Sequence, residues 1–261
     1  MGYLEDPDVR KAALIIVGNE ILSGRTVDKN TNWIAEKMVK YGISLVEART
    51  VTDQEHKIIR AINDLKDEVD YVFTTGGIGP THDDITAESV AKAFDVELEM
   101  NEEALLMLVD HYGAPEEVTE ARRKMAMIPK GATLIHNKVS GAPGFVIGNV
   151  HVMAGVPRIM HAMFEYLLDN VLETGKQVYS NNLLCTKQES ELAPKLMTIQ
   201  DAFPDVEIGS YPHYREGQAS VSVVLRSTEK ESLKKATERV LAAVETLGDT
   251  PSAMSFQVMI D

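Results

Sequence analysis

The chain has 261 residues, of which 44% are hydrophobic and 25% are charged, as is usual for a globular protein with a sizeable core. Its 26 basic and 40 acidic side chains give a net charge of −14. That balance argues against a general nucleic-acid or acidic-membrane surface, but it allows a nucleotide ligand. The single cysteine, Cys185, excludes an intrachain disulfide and a cysteine metal cluster, and it is predicted to be a buried thiol.

The polar first eleven residues lack the apolar region of a signal peptide, and no apolar run is long enough to span a membrane. We therefore expect a cytoplasmic protein that makes no contact with membranes or nucleic acid.

The first part of the chain alternates between strand and helix patterns. Residues 12–17 form a continuous apolar run, which predicts a strand buried on both faces. A helix ending at Gly42, a strand over 43–51, a helix capped by Asp53 and a strand over 71–75 follow. This alternation predicts a mostly parallel sheet with helices on both faces, whose ligands gather at the carboxyl ends of the strands.

The region after residue 100 adds helices and antiparallel strands. Residues 102–112, with Asn101 as N-cap, and residues 116–127 have helical patterns. Residues 145–153 predict a β-hairpin with Gly-Asn at its turn. Pro157 suits the first turn of a further helix.

A domain boundary is predicted near residue 175, giving a first domain over 1–175 and a second over 176–261. The second domain has the pattern strand, helix, strand, strand, helix, strand, with the last strand at 255–260. This order predicts a small α+β domain of ferredoxin-like type. Its strand over 219–227 is expected to be central.

One stretch organises the first domain: residues 74–84, Thr-Thr-Gly-Gly-Ile-Gly-Pro-Thr-His-Asp-Asp, between a strand and a helix. Glycines let a ligand approach the backbone, and a glycine-rich turn before a helix suits phosphate. The two aspartates would repel phosphate unless a cation lay between them. The stretch therefore predicts a metal-assisted phosphate site, with a tight turn and an acidic helix cap as the alternative.

Two further glycine-bounded loops, 18–24 and 154–157, also follow predicted strands, and the three loops are expected to converge on one cleft. The natural oxygen ligands for Mg²⁺, Co²⁺ or Mn²⁺ there are Asp83, Asp84 and Glu20, with Asp28 and Asn30 as possible additions. Phosphate could be met by the hydroxyls of Thr75, Thr81 and Ser23. Any one of these carboxylates could instead be a helix cap or a solvated side chain.

The stretch 75–84 resembles the signature of the molybdopterin-binding-like family in its CinA (competence/damage-inducible) branch. The agreement extends to residues 18–24, 28–30, 142–145 and 155–157. It continues more weakly at Glu-Ser-Glu-Leu and Ile-Gly-Ser-Tyr-Pro, which follow residue 188. The resemblance implies a three-layer α/β/α domain related to the MoaB and MogA proteins, followed by a small second domain.

In the wider family the glycine loop and its aspartates bind the pterin phosphate and support Mg²⁺-dependent adenylylation. In the CinA branch the comparable domain hydrolyses the pyrophosphate of ADP-ribose, and related domains act on FAD. Full-length CinA adds a deamidase domain for which this sequence is too short, so that activity is not expected. A homo-oligomer is implied as well.

By this resemblance Asp83, Asp84 and Glu20 are the predicted catalytic and metal-binding residues. The predicted ligand- and phosphate-binding residues are Asn19, Ser23, Asp28, Asn30, Thr75, Gly76, Gly77, Gly79, Pro80, Thr81, Gly155 and Pro157. Asn19 stands where the family commonly has Asp, and Met125 stands where it commonly has Gln.

Three functions remain open from the sequence. The first is a metal-dependent pyrophosphatase acting on ADP-ribose or a related dinucleotide such as FAD. The second is a molybdopterin-binding protein without hydrolase activity, and the third is a scaffold with a vestigial site.

Overall fold

In the computed structural model, which describes residues 2–215, 218–250 and 252–257, parallel strands form the centre of a mixed sheet. The chain divides into two units. One comprises residues 10–38 and 44–174, and the other comprises the described parts of 1–9, 39–43 and 175–261.

The first unit is built on a sheet with helices packed against it. Its strands are β1 (Arg10–Val17), β2 (Ile43–Val51), β3 (Tyr71–Thr75), β4 (Leu98–Met100), β5 (Met127–Pro129), β6 (Thr133–Ile135), β7 (Gly144–Ile147) and β8 (Val150–Met153). Its helices are α1 (Asn19–Leu22), α2 (Asn30–Val39), α3 (Glu55–Leu65), α4 (Thr86–Ala93), α5 (Glu102–Tyr112), α6 (Glu120–Arg123) and α7 (Pro157–Asn170).

The described strands of the main sheet run in the order β2-β1-β3-β8-β7-β6. β3 pairs in parallel with both β1 and β8, and Thr75 is in register with Ile16 on one side and Met153 on the other. β7 and β8 form the predicted antiparallel hairpin, which turns at Gly148. The carboxyl ends of β1, β3 and β8 therefore lie side by side, and the three glycine-bounded loops leave from one edge of the sheet.

Burial follows the sequence pattern in the central elements. All six residues of the apolar run 12–17 are buried, as expected for a strand covered on both faces. On α3 the buried face includes Ile58, Ile62 and Leu65, which recur at helical spacing. On α7, which begins at Pro157 as predicted, Met160, Met163, Phe164 and Leu167 are buried.

The helix predicted over residues 116–127 is wrong. The structure has instead two single 3₁₀ turns, Pro115–Glu117 and Lys124–Ala126, around the one-turn helix α6, and the chain then enters β5. β5 pairs antiparallel with β4, and Ile128 is buried in the core. This long-range pairing, which the local pattern does not contain, overrides the helical tendency.

The second unit has the predicted ferredoxin-like order. Its elements are β9 (Tyr179–Cys185), α8 (Glu189–Ala202), β10 (Glu207–Arg215), β11 (Gln218–Ser227), α9 (Lys230–Glu245) and β12 (Ser252–Gln257). Neighbouring strands pair antiparallel in the order β10-β11-β9-β12, so β11 is internal as expected. The end of the predicted last strand, residues 258–260, lies outside the described residues.

Cys185 is fully buried at the end of β9, as predicted. Burial raises the pKa of its thiol to about 11, so it remains a thiol at neutral pH. Among the described residues, no helix has both the length and the apolar character needed to cross a membrane.

A buried histidine makes the stability of the first unit depend on pH. His151 on β8 lies against the rings of Tyr71 and Phe73, and its Nδ1 is 3.0 Å from the carbonyl oxygen of Asn149. Burial lowers its pKa from 6.5 to about 4. Since the unfolded chain protonates this group near pH 6.5, its stabilising contribution is complete above that pH and is lost as the pH falls towards 4.

We expect the free energy of unfolding to fall by about 2 kcal/mol from this group between pH 7.5 and pH 5. Urea unfolding at the two pH values measures the loss. His151→Phe keeps an aromatic ring in the core and removes the titrating group. Between the two pH values its free energy of unfolding should therefore fall by about 2 kcal/mol less than that of the wild-type protein. An unchanged pH dependence in His151→Phe would contradict the assignment.

Candidate functional site

A cleft of about 540 Å³ lies at the edge of the sheet where β1, β3 and β8 end. All three glycine-bounded loops contribute to its lining, and its volume is typical of a small-molecule site. The predicted site residues that line it are Glu20, Gly76, Gly77, Gly79, Pro80, Thr81, Asp83, Asp84, Gly155 and Pro157.

The loop after β3 depends on its first two glycines. Gly76 has φ +100° and Gly77 has φ +70°, conformations that residues with side chains rarely adopt. A Cβ on Gly76 would lie 2.2 Å from the carbonyl oxygen of Val17, and one on Gly77 would lie 2.1 Å from Oγ1 of Thr86. The hydroxyl of Thr86 donates to the Gly76 carbonyl at 2.9 Å and fixes the turn to the start of α4.

Thr81 joins the two aspartates of the loop. Its hydroxyl lies 2.6 Å from Oδ1 of Asp83 and within hydrogen-bond distance of Oδ2 of Asp84. Its backbone N–H donates to the same Asp84 oxygen at 2.7 Å. A Cβ on Gly79 would be 2.7 Å from that oxygen, so the third glycine makes room for the carboxylate.

A lysine to which sequence reasoning assigned no firm role lies next to this group. Lys124 donates from Nζ to the carbonyl oxygen of Thr81. The hydrogen bond from Thr81 lowers the pKa of Asp83 below its ordinary value, and the charge of Lys124 acts in the same direction. Asp83 is therefore ionised at neutral pH. Its sequence signal is the basic run 122–124, a pattern that usually indicates a solvated helix face and less often a phosphate clamp.

The loop after β1 is organised by a carboxylate that was predicted to do something else. Asp53 does not cap α3; its Oδ2 accepts the backbone N–H of Asn19 at 2.9 Å, and Asp53 lines the cleft. The carboxylate of Glu20 folds over Gly18, where a Cβ would lie 2.7 Å from it. No local pattern around Asp53 indicates that it belongs to the site.

The described structure does not assemble the predicted three-carboxylate ligand set. Asp83 and Asp84 meet at Thr81, but Glu20 does not join them. Among the described residues, no group of three or more His, Cys, Asp or Glu side chains could hold a metal ion. The structure therefore offers two neighbouring carboxylates and not a closed cage.

Asp28 acts as the cap of α2. Its Oδ1 accepts the backbone N–H groups of Asn30 and Thr31 at 2.9 and 3.1 Å, and its Oδ2 accepts the hydroxyl of Thr31. Ser23, by contrast, is exposed and donates to the Glu20 carbonyl. Thr75 and Asn30 are buried and do not line the main cleft.

Part of the cleft wall is apolar. It includes Tyr112, Met125, Ala142, Ile159 and Met163. The guanidinium of Arg122 stacks 3.9 Å from the ring centre of Tyr112, which holds that ring at the wall. The cleft lining thus combines carboxylates and backbone with apolar surface that suits a flat ring.

Residues 13–174 match the family model described as a probable molybdopterin binding domain. The chain belongs to this family. Residues 177–248 match a second model, described as the middle domain of FAD synthase.

Relatives of similar length occur in archaea. A protein from Archaeoglobus fulgidus is 35% identical over 226 residues, covering 87% of this chain and 94% of its own. One from Metallosphaera sedula is 35% identical over 257 residues, covering 92% of this chain and 96% of its own.

Among solved structures, a protein from Thermoplasma acidophilum described as CinA of unknown function is 36% identical, with a TM-score of 0.59. The matched region covers 63% of this chain and 99% of the Thermoplasma chain. The family member described here is therefore of the CinA-like type, as its motifs predicted.

The close approach at Gly76 gives a test of how the site is built. Gly76→Ala should lower the free energy of unfolding by more than about 1–2 kcal/mol, the cost of a left-handed alanine, because its Cβ also meets the Val17 carbonyl. Gly113→Ala is the matched control: Gly113 has φ +87°, and nothing lies within 4 Å of the position that its Cβ would take. Urea unfolding of both variants measures the difference, and equal losses would contradict the backbone contact.

Proposed function

We propose that this CinA-like protein is a metal-dependent nucleotide pyrophosphatase that acts on ADP-ribose or a related dinucleotide such as FAD. The observation that carries the proposal is the pair Asp83 and Asp84, both held at Thr81, beside a glycine loop in a cleft of small-molecule size. The match of the second unit to the FAD synthase middle domain supports a nucleotide as the ligand class.

The donor set at Thr81 fits a small divalent cation whose shell the substrate completes. Mg²⁺ is usually held by one or two carboxylates, with phosphate oxygens and water in the other positions. Asp83 and Asp84 supply that pair, and the lowered pKa of Asp83 keeps it charged. Bound there, Mg²⁺, Co²⁺ or Mn²⁺ would neutralise phosphate charge and polarise a phosphoryl oxygen.

The chain's own groups have separate tasks in this proposal. Gly76 and Gly77 line the cleft, so their backbone is placed to meet a phosphate there. Lys124, held at the Thr81 carbonyl, adds a positive charge beside the pyrophosphate. Tyr112 and Met125 provide a wall against which the base can pack and exclude water.

Purified protein should release AMP from ADP-ribose or FAD in the presence of Mg²⁺, Co²⁺ or Mn²⁺. Asp83→Asn and Asp84→Asn should each lower kcat/KM by roughly 100-fold or more, since a metal's charge stabilisation is worth several kcal/mol. Asp110→Asn is the control, because Asp110 is an exposed aspartate on α5 that does not line the cleft.

Two results would count against the pyrophosphatase. One is the absence of AMP from both substrates with all three metals. The other is a loss of rate in Asp110→Asn equal to that in Asp83→Asn, which would indicate a general charge effect.

The family match favours a second candidate, a molybdopterin-binding protein without hydrolase activity. This function also uses an anion-binding loop and an apolar wall. Thermal-shift measurements with a pterin and with nucleotides separate the two. A shift with the pterin alone, together with no AMP release, would replace the pyrophosphatase by the binding function.

A further inference from the structure

A second, smaller cavity of about 70 Å³ lies beside the main cleft. Both are lined by Val17, Glu20, Thr26, Gly155 and Pro157, so the two spaces are neighbours. In the same measure one water molecule needs roughly 10–15 Å³, so the cavity has room for more than one small polar group. It is much smaller than the main cleft.

Two buried polar side chains line this small cavity. Asn30 is 7% exposed and Thr75 is 1% exposed. Asn30 donates from Nδ2 to the Gly155 carbonyl at 2.8 Å, which fixes the orientation of its amide. Its Oδ1 and the Oγ1 of Thr75 have no hydrogen-bond partner among the described residues. Buried polar atoms in native proteins are normally hydrogen-bonded, so we expect both atoms to have a partner that is not one of the described residues.

The lack of a partner does not by itself mark a ligand site. Oγ1 of Thr74, the neighbouring residue on β3, is also buried and unpaired among the described residues, yet Thr74 lines neither the cleft nor the small cavity. What distinguishes Thr75 and Asn30 is that both line one cavity. Thr74 therefore serves as an internal control for any effect of removing a buried hydroxyl.

The chemistry of the cavity selects hydroxyl groups over phosphate. Oδ1 of Asn30 can only accept a hydrogen bond, and the hydroxyl of Thr75 can donate or accept. A phosphate oxygen would face Oδ1 acceptor to acceptor, and the charged residues that line the cavity are two acidic ones, Asp28 and Glu20, and one basic one, Lys29. A sugar hydroxyl pair supplies both a donor and an acceptor, and it is small enough.

We propose that Asn30 and Thr75 form a subsite that binds the hydroxyl groups of the ribose attached to the phosphate in the main cleft. The inference rests on the proposed function for the position of the phosphate. It replaces the sequence prediction for Thr75, a phosphate-binding hydroxyl, and that for Asn30, a ligand-binding residue or possible metal ligand, by sugar recognition. The protein then prefers ribonucleotides because a nucleotide without the hydroxyls leaves both buried atoms unpaired.

Calorimetric titration of the full chain with AMP and with 2′,3′-dideoxy-AMP, in the presence of Mg²⁺, tests the subsite. The wild-type protein should bind AMP about 10-fold more tightly or better, as expected for the gain of one or two hydrogen bonds in a buried site. Thr75→Val should bring the two affinities close together by weakening AMP binding. Thr74→Val should keep the wild-type ratio.

A second variant guards against a change in folding. Thr75→Ser keeps the hydroxyl and removes a methyl group, so it should keep the preference for AMP even if it is less stable. Equal binding of the two nucleotides by the wild-type protein would overturn the subsite, as would an unchanged ratio in Thr75→Val or no binding of either nucleotide.

The outcome for the subsite is separable from that for the pyrophosphatase. If the protein prefers AMP through Thr75 but releases no AMP from ADP-ribose, the subsite is supported and the proposed reaction is contradicted. If the protein releases AMP from ADP-ribose but binds AMP and 2′,3′-dideoxy-AMP equally well, the reaction is supported and the subsite is overturned.

Discussion

The site depends on the backbone contact between the ends of three parallel strands. The Val17 carbonyl at the end of β1 occupies the space of a Gly76 side chain, and the Gly76 N–H donates to the Met153 carbonyl at 3.1 Å. A Cβ on Gly155 would lie 3.2 Å from the Gly76 Cα. The loops are thus positioned by main-chain packing, which is a stiffer support than contacts between long side chains.

Much of this scaffold could be predicted from the sequence because its signals are local. The apolar run of β1, the Asn101 cap, whose side chain accepts the Ala104 N–H at 2.9 Å, and the Gly148 turn each act over a few residues. The region 116–127 could not be predicted in this way. Its strand exists because β4 lies beside it, and that pairing joins residues almost thirty positions apart.

The functional site, too, could be predicted only where its signals are local. The glycine loop and the pair Asp83 and Asp84 are adjacent in sequence, so their pattern was sufficient to find them. The roles of Asp28 and Asp53 were not predictable, because an aspartate that caps a helix, supports a loop or binds a cation has the same local sequence. Only the distances show that Asp28 caps α2 while Asp53 holds the Asn19 N–H.

The distribution of charge then limits what can fill both spaces at once. The cleft carries two carboxylates with Lys124 beside them, so an anion there needs a cation as well as the backbone. The small cavity is lined by Asn30, whose Oδ1 has no partner among the described residues, and in the proposed subsite that acceptor takes a small group that donates hydrogen bonds. Inorganic phosphate satisfies only the first requirement, and a free base satisfies neither. A sugar phosphate meets both, and the apolar wall at Tyr112 adds a place for the ring that a nucleotide carries.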